Sequence, residues 1–305
     1  MITPVTIHNS SIKYSPYQQP SHKGGIKSLN AVNPIVHYTN DYFIRMAKAS
    51  TLKFQPIKPA LENIINHVKI KSGKYELNAW DMNPNKSEKY ILFLHGMAQN
   101  VTDYQDLYES ILNQGDYGIL ALEYRAYGEN TKGKPTEDNL ITDTRSGFKY
   151  LIDNGINSQN IIVAGHSMGG SLATTFASKQ KELKALLLIC PLTKTENLGK
   201  KFVKNSQLGM GVPNIIKTLT ERIKPLKWLY NLEFNSIDKL PKVKCPIYLI
   251  HSRNDTVTSL QGARNFVKTA IRNNIPIEYY YPAIGGHKVD KRKIDLITEI
   301  LNTLK

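Results

Sequence analysis

The chain has 305 residues, 41% of them hydrophobic, which suffices for the core of one large α/β domain with a tail. The formal net charge is +15, but the lysines are spread over many segments, and the sequence has no zinc-finger spacing, RNP-type aromatic motif or phosphate-binding glycine loop. We therefore expect no specific nucleic-acid binding and predict only weak attraction to anionic membranes or acidic partners.

Targeting signals and cysteine usage predict a cytoplasmic protein. The N-terminus lacks the charged start and apolar core of a Sec signal, and every apolar window is shorter than the roughly 18 residues of a membrane span. Cys190 and Cys245 are predicted to be buried thiols of a reducing compartment, and their spacing is not that of metal ligands. We expect neither a metal nor a cofactor. Export by a route other than Sec is the alternative.

The chain divides near residue 64. Residues 1–63 are predicted to form a polar arm, partly disordered or wrapped on the domain, with 40–52 as its best candidate for a helix. Residues 64–305 are expected to form one α/β domain. This domain begins with a hairpin, because two strand-like segments, 66–71 and 75–81, flank a Ser-Gly turn.

After the hairpin, strand-like and helix-like segments alternate. The predicted strands are 90–95, 118–124, 160–164, 185–190, 246–251 and 276–281, and the predicted helices are 101–114, 136–153, 169–180, 259–273 and 290–304. Such alternation indicates a mainly parallel central sheet with helices on both faces, and the hairpin would supply an antiparallel edge.

One connection breaks the alternation. Residues 191–241 are far more than a crossover between neighbouring parallel strands needs, and they mix lysines with apolar residues in a pattern of short amphipathic helices. We predict a helical cap inserted after the sixth strand. It would lie over the strand ends, where the active sites of open α/β sheets form.

The motif with the most chemical content runs from Gly165 to Gly169 and has the form G-x-S-x-G. It follows a predicted strand and precedes a predicted helix, the context in which a tight turn holds a serine exposed for attack. Ser167 is therefore the candidate nucleophile. A serine that merely caps the following helix would satisfy the same local pattern and is the alternative.

A nucleophilic serine needs a base and an acid that orients the base, and after a strand–turn–helix of this G-x-S-x-G type they follow in the order Ser, Asp or Glu, His. Asp255 follows a predicted strand and is the candidate acid, with a carboxylate that only forms a turn as the alternative. Glu196 and Asp290 are rival acids. His287 is the candidate base, since it follows the last strand and two glycines that let the loop return over the sheet.

The oxyanion of an acyl-transfer reaction is expected to be held by backbone N–H groups. Met168, directly after the serine, and Met97, in the loop after the third strand, are the predicted donors. We expect His95 to brace that loop by hydrogen bonding. The side chain of His166 is expected to point away from the serine.

Taken together, these motifs resemble the α/β-hydrolase superfamily over residues 64–305. Within it, the chain is similar to the branch that includes alpha/beta-hydrolase-domain depalmitoylases and related bacterial proteins. The resemblance rests on HGMAQN at 95–100, EYRAYGEN at 123–130, GHSMGG at 165–170, HSRNDTV at 251–257 and GGHK at 285–288.

The resemblance implies an α/β-hydrolase fold in which Ser167, His287 and Asp255 form a triad and Met97 and Met168 form the oxyanion hole. From these candidate residues we predict a serine hydrolase that cleaves a carboxylic ester or thioester through an acyl-enzyme. The acyl substrate would be a small molecule, a lipid or an acylated protein. A serine peptidase or amidase and a catalytically silent binding protein are the alternatives.

Two positions depart from the family pattern. Glu123 stands where the family commonly has Asp, and Asn130 stands where it commonly has Ser. These departures leave open how the segment between the fourth strand and the following helix is hydrogen-bonded.

Overall fold

The computed structural model describes Ala47, Ala49, Ser50 and the ranges 54–130, 132–194 and 234–304. Most of the predicted N-terminal arm and of its 40–52 helix lies outside these residues, but Ala47, Ala49 and Ser50 are helical and 54–63 are described. Most of the predicted 191–241 cap also lies outside them. Within the described ranges, no helix combines the length and the apolar character that crossing a membrane requires.

An eight-stranded sheet forms the centre of the fold, with the strand order β1-β2-β4-β3-β5-β6-β7-β8. The hairpin β1–β2 is antiparallel and β2 pairs antiparallel with β4, whereas all the other neighbours are parallel, as predicted. The strands are β1 (Ile65–Ser72), β2 (Tyr75–Met82), β3 (Tyr90–Leu94), β4 (Gly118–Leu122), β5 (Ile161–His166), β6 (Ala185–Ile189), β7 (Ile247–Ile250) and β8 (Ile277–Tyr280).

The described helices are α1 (Pro59–Glu62), α2 (Gln105–Leu112), α3 (Glu137–Asp153), α4 (Met168–Ala177), α5 (Ser236–Lys239), α6 (Leu260–Arg272) and α7 (Lys291–Thr303). Five of them, α2, α3, α4, α6 and α7, follow the predicted alternation, with ends that differ by a few residues. Of the other two, α1 lies in the predicted arm and α5 in the predicted cap. The helix predicted from residue 101 starts as a 3-10 turn, Val101–Tyr104. Asn100 caps this turn by accepting a hydrogen bond from the Thr102 amide.

Both faces of the sheet are covered because the apolar side chains of its strands alternate between two cores. On β3, Leu92 and Leu94 join a core that includes residues of α3, α4 and α6. Ile91 and Phe93, on the opposite face, join a second core with residues of α2 and α7. A strand buried on both faces reads as a continuous apolar run, which is why the sequence pattern reveals it.

Strand register brings the carboxyl ends of the central strands to one edge. Leu94 of β3 pairs with Gly165 of β5, and Ile189 of β6 pairs with His166. Ile250 of β7 pairs with Tyr280 of β8. The loops that follow these five strands therefore meet at the same edge, and all the predicted site residues lie on them or at the start of α4.

Candidate active site

Ser167 occupies the turn between β5 and α4 with a left-handed backbone, φ 55° and ψ −116°. The glycines on either side allow this turn. A Cβ atom on Gly165 would lie 2.2 Å from the carbonyl oxygen of Gly169, and one on Gly169 would lie 2.0 Å from the carbonyl oxygen of Leu94. Since both clashes are with backbone, a larger residue at either position would force the sheet and the helix apart.

The hydroxyl of Ser167 does not cap α4. Ser167 is the residue that precedes the helix, but its side chain accepts no capping hydrogen bond. Its backbone is held instead, because its N–H donates to Ile189 O at 3.0 Å and its carbonyl accepts from Leu192 N at 2.9 Å. The interpretation of Ser167 as a helix cap therefore has no support in the structure, and the hydroxyl is available for chemistry.

Asp255 and His287, 32 positions apart in the chain, meet in a hydrogen bond of 2.8 Å between Oδ2 and Nδ1. Asp255 also forms the turn considered as the alternative, since its Oδ1 accepts from Val257 N at 2.7 Å and from Thr258 N at 2.9 Å. The Thr258 hydroxyl donates to Oδ2 at 2.7 Å. The carboxylate of Asp255 therefore fits both predictions: Oδ1 accepts the hydrogen bonds of the turn, and Oδ2 accepts the hydrogen bond of the imidazole.

Electrostatics favour an anionic Asp255. Burial by itself would raise the pKa of its carboxyl, but the hydrogen bond and charge of His287, with the hydrogen bonds from Thr258 and Val257, outweigh burial and lower that pKa below its ordinary value. A carboxylate only accepts, so Nδ1 of His287 carries the hydrogen. The lone pair of that ring is then on Nε2, where a general base needs it.

The rival acids and histidines have other positions. Asp290 caps α7 by accepting from the Lys293 amide and receives the Lys293 ammonium at 3.0 Å. Glu196 lies outside the described residues. His251 is buried at the end of β7, and its Nδ1 is 3.8 Å from Asp255 Oδ2.

His166 connects the turn that holds Ser167 with the loop that holds His287. Its Nε2 lies 2.7 Å from the His287 carbonyl oxygen, and its Nδ1 lies 2.8 Å from the Tyr104 hydroxyl. Burial, followed by the proximity of His287, lowers the pKa of His166 to about 3, so the ring is neutral. A neutral ring that faces a carbonyl oxygen donates from Nε2, which leaves Nδ1 as the acceptor nitrogen beside the Tyr104 hydroxyl.

The loop after β3 carries Met97 and is held in place by contacts of His95. The Nδ1 atom of His95 lies 2.9 Å from the Gly96 carbonyl oxygen, and Nε2 lies 2.9 Å from Glu123 Oε1. Gly96 N–H donates to the Tyr104 hydroxyl at 2.9 Å. The histidine contacts fit the bracing role predicted for His95, and Met97 follows directly on this fixed segment.

The two departures from the family pattern are accommodated by hydrogen bonds. Besides its contact with His95, Glu123 accepts from Val101 N at 3.2 Å through Oε2. Asn130 donates to the Glu123 carbonyl at 2.8 Å and accepts from Asn78 N at 2.9 Å. The longer acid and the amide thus tie β2 and β4 to the loop before α2.

Met168 is the first residue of α4, and the first amides of a helix have no partner within the helix. Its N–H therefore belongs to a group of donors at the positive end of a helix, beside Ser167. The side chain is buried, and its sulfur receives the Tyr127 hydroxyl at 3.7 Å. This placement suits a backbone oxyanion donor whose side chain serves packing.

One trio within the described residues offers metal-ligating atoms that lie within 4.8 Å of one another: Cys190, Asp255 and His287. Burial raises the pKa of the Cys190 thiol to about 12, so its sulfur is neutral at ordinary pH. Asp255 and His287 are hydrogen-bonded to each other. Cys245 is buried as well, as predicted for both thiols.

Sequence reasoning missed three contributors to the site: Thr258, Tyr104 and Lys293. Lys293 had a readable signal, because it lies on the apolar stripe of α7 that continues through Ile297 and Ile300. A lysine on a buried stripe needs partners, and here its ammonium contacts the loop around His287. Tyr104 had no such signal, since its partner His166 is 62 positions away in the chain. Thr258 had a local one, since it lies three residues after Asp255 and bonds to that carboxylate.

The sheet is mainly parallel, a strained serine lies between a strand and a helix, and an Asp–His pair lies on later loops. Together these features are those of the α/β-hydrolase fold. A family model described as "Serine aminopeptidase, S33" matches residues 85–232. The chain belongs to the α/β-hydrolase superfamily.

Individual relatives are distant. The chain is 23% identical over 218 residues to a putative alpha/beta hydrolase of Acanthamoeba polyphaga mimivirus, a match that spans 70% of this chain and 73% of that protein. It is 26% identical over 216 residues to human alpha/beta hydrolase domain-containing protein 17B, a match that spans 70% of this chain and 64% of the human protein. This chain thus spans slightly less than two thirds of its human relative.

The fold is shared with solved structures. The crystal structure of an alpha-beta hydrolase from Vibrio vulnificus superposes with a TM-score of 0.69, at 23% identity, over 93% of this chain and 99% of that one. At that identity the likeness establishes the architecture alone.

Proposed function

We propose that this protein is a serine hydrolase that cleaves a carboxylic ester or thioester through a covalent acyl-enzyme. The proposal is carried by a serine with a left-handed backbone and a hydroxyl unused by its helix, together with a histidine whose Nδ1 is bound by a carboxylate. The loop of that histidine is joined to the serine turn through His166, whose Nε2 lies 2.7 Å from the His287 carbonyl oxygen. His287 Nε2 takes the proton of Ser167 while Oγ attacks the acyl carbon.

Negative charge that develops on the acyl oxygen is held by the backbone N–H groups of Met97 and Met168. The tetrahedral intermediate collapses, the bond to the leaving alcohol or thiol breaks, and His287 returns the proton to that leaving group. Water, deprotonated by the same imidazole, then attacks the acyl carbon. The acid leaves and Ser167 is restored.

Substrate preference is a separate part of the proposal. The resemblance to the depalmitoylase-like branch favours acyl esters and thioesters, carried by a small molecule, a lipid or a protein. The description of the matching family as a serine aminopeptidase favours peptides as the second candidate. Most of the cap that would shape the acyl pocket lies outside the described residues. Weak attraction to anionic membranes stays a prediction.

The test compares hydrolysis of p-nitrophenyl esters, acyl thioesters and peptide anilides by the wild type, Ser167→Ala and Ser178→Ala. Ser178 is a matched control, since it follows the same helix and its hydroxyl bonds only to the Thr175 carbonyl. Replacing Ser167 should lower kcat by about 10⁶-fold if the triad acts as a unit. Ser178→Ala should keep the wild-type rate.

Labelling with a fluorophosphonate separates the remaining alternatives. An active serine hydrolase reacts covalently at Ser167, whereas a silent binding protein stays unlabelled. Faster cleavage of peptide anilides than of esters would favour the peptidase. A Ser167→Ala protein that turns over esters at the wild-type rate would overturn the proposal.

A further inference from the structure

The segment 285–288, the base loop, holds His287 without regular secondary structure. Two left-handed glycines shape it, Gly285 with φ 127° and Gly286 with φ 57°. A loop of this kind lacks the backbone ladder of a strand or helix. The orientation of the imidazole must therefore come from contacts made by other parts of the chain.

Side chains from outside the base loop contact each of its four carbonyl oxygens. The Lys293 ammonium donates to the first at 3.0 Å and to the last at 2.7 Å. The second faces the Cys190 thiol at 3.9 Å, and the third, that of His287, faces His166 Nε2 at 2.7 Å. Asn254 adds a fifth contact, since its Oδ1 accepts from Gly286 N at 2.9 Å.

Lys293 is the charged member of this set and is fully buried, with 0% of its surface exposed. Its three ammonium hydrogens match three acceptors: Gly285 O, Lys288 O and Asp290 Oδ1. Burying an ammonium is costly even when it is paired, and apolar residues of similar volume often do as well or better for stability. Packing alone therefore does not explain a lysine at this position.

The base loop is wrapped closely around the ammonium. A Cβ atom on Gly285 would lie 2.9 Å from Lys293 Nζ and 2.9 Å from Asp290 Oδ2. The glycine is thus needed for its φ and for the room that it leaves to the lysine and the aspartate. Loop and lysine are complementary in shape as well as in hydrogen bonding.

We propose that Lys293 is a positioning residue for His287. Its ammonium joins the carbonyl oxygens two residues before and one residue after the histidine, and so sets the direction in which the imidazole leaves the loop. The inference rests on the proposed function in one respect, that His287 is the base that serves Ser167. Lys293 itself acts through the backbone and contacts no reacting atom.

The kinetic test uses two variants of Lys293 and a control on the same helix. Lys293→Met keeps the length and removes the donors, Lys293→Gln keeps two N–H donors without the charge, and Lys291→Met removes an exposed lysine that pairs only with Asp295. Because small misplacements of a catalytic group cost up to about 10²-fold, we expect kcat of Lys293→Met to fall by about 10- to 100-fold with KM nearly unchanged.

Lys291→Met should match the wild type, and Lys293→Gln should recover most of the loss. A folded Lys293→Met protein with wild-type kcat would overturn the proposal, and so would a folded Lys293→Gln protein as slow as Lys293→Met. Thermal unfolding establishes which variants are folded at the assay temperature. If Lys293→Met does not fold, Lys293→Gln decides alone, since the proposal requires its kcat to stay within about tenfold of the wild type.

A spectroscopic readout tests the positioning without turnover. The Nδ1 hydrogen that His287 shares with Asp255 should give a downfield proton resonance in the wild type and in Lys291→Met. In Lys293→Met we expect this resonance to broaden or disappear at temperatures where the protein is folded. An unchanged resonance would overturn the proposal, whereas a wild type with this resonance and no hydrolysis would overturn only the proposed function.

Discussion

The turn at Ser167 and the base loop at 285–288 meet in one site but are held in different ways. The turn is held by regular structure, because it joins β5 to α4, and by sterics, because only glycine fits two residues before and two residues after the serine. The base loop is held by side chains from β5, the end of β6, the loop after β7 and α7. Local sequence encodes the first arrangement, and distant residues supply the second.

The difference teaches where each region is vulnerable. A change in the turn has to move backbone in the sheet, which is close-packed and yields little. A change around the base loop removes one of several hydrogen bonds, and the others still hold the loop. We therefore expect damage to the turn to appear chiefly as instability, and damage around the base loop to appear chiefly as lost activity.

After loss of the nucleophile itself, the largest effect is expected from Asp255→Asn, which alters the support of the base. Asn can present an N–H to Nδ1 and so favour the tautomer that has its hydrogen on Nε2, where it cannot accept the serine proton. A loss of about 10⁴ in kcat is expected, by analogy with the triad of serine proteases. Steady-state ester hydrolysis measures it, with the exposed Asp295→Asn as control, and a loss below tenfold would contradict the assignment of Asp255.

Gly169→Ala should destabilise the folded protein at the turn. Its Cβ would meet the Leu94 carbonyl oxygen at 2.0 Å, so β3 and α4 would have to separate. We expect the free energy of unfolding to fall by about 3 kcal/mol or more, the upper range for overpacking. Urea denaturation followed by circular dichroism measures this change. A fall of less than 1 kcal/mol would show that the turn tolerates far more than its geometry indicates.

Low pH should reduce the free energy of unfolding through His166, which connects the two regions. The unfolded imidazole binds a proton with a pKa near 6.5, whereas burial, and then the proximity of His287, lowers the folded pKa to about 3. The contribution of the neutral His166 to the free energy of unfolding is therefore fully present above pH 6.5 and is lost as the pH falls towards 3. At pH 5 the loss from this group is about 2 kcal/mol.

The measurement is the free energy of unfolding at pH 7 and at pH 5 in the wild type and in His166→Gln. Gln cannot titrate but can still donate to the His287 carbonyl. The drop between the two pH values should be smaller in the variant by about 2 kcal/mol. Equal drops in the two proteins would refute the contribution of His166.

The smallest effect is expected from Gly286→Ala, the counterpart of Gly169→Ala in the base loop. A Cβ at this position meets nothing within 4 Å, so only the φ of 57° opposes the substitution. The cost in free energy of unfolding should be about 1 kcal/mol. If it equalled that of Gly169→Ala in the same urea assay, the contrast between the two regions would fail.

Sequence reasoning succeeded where the determinants are neighbours in the chain. The alternation of strands and helices, the antiparallel hairpin and the turn at Ser167 all follow from apolar periodicity and glycine placement over short windows. The candidate acid and base were selected by chain order after strands. Their hydrogen bond could only be hypothesised, because nothing local connects positions 255 and 287.

By itself, the sequence determined an α/β-hydrolase architecture and the serine turn, since both depend on residue periods and on small residues at fixed spacing. Only the tertiary structure decided that His166 reaches the His287 carbonyl, that Glu123 faces His95, and that the buried Lys293 joins both sides of the base loop. These contacts depend on strand register and on the approach of α7 to the sheet edge. Such long-range geometry leaves no periodic trace in the sequence, and a lysine on an apolar stripe was its one local sign.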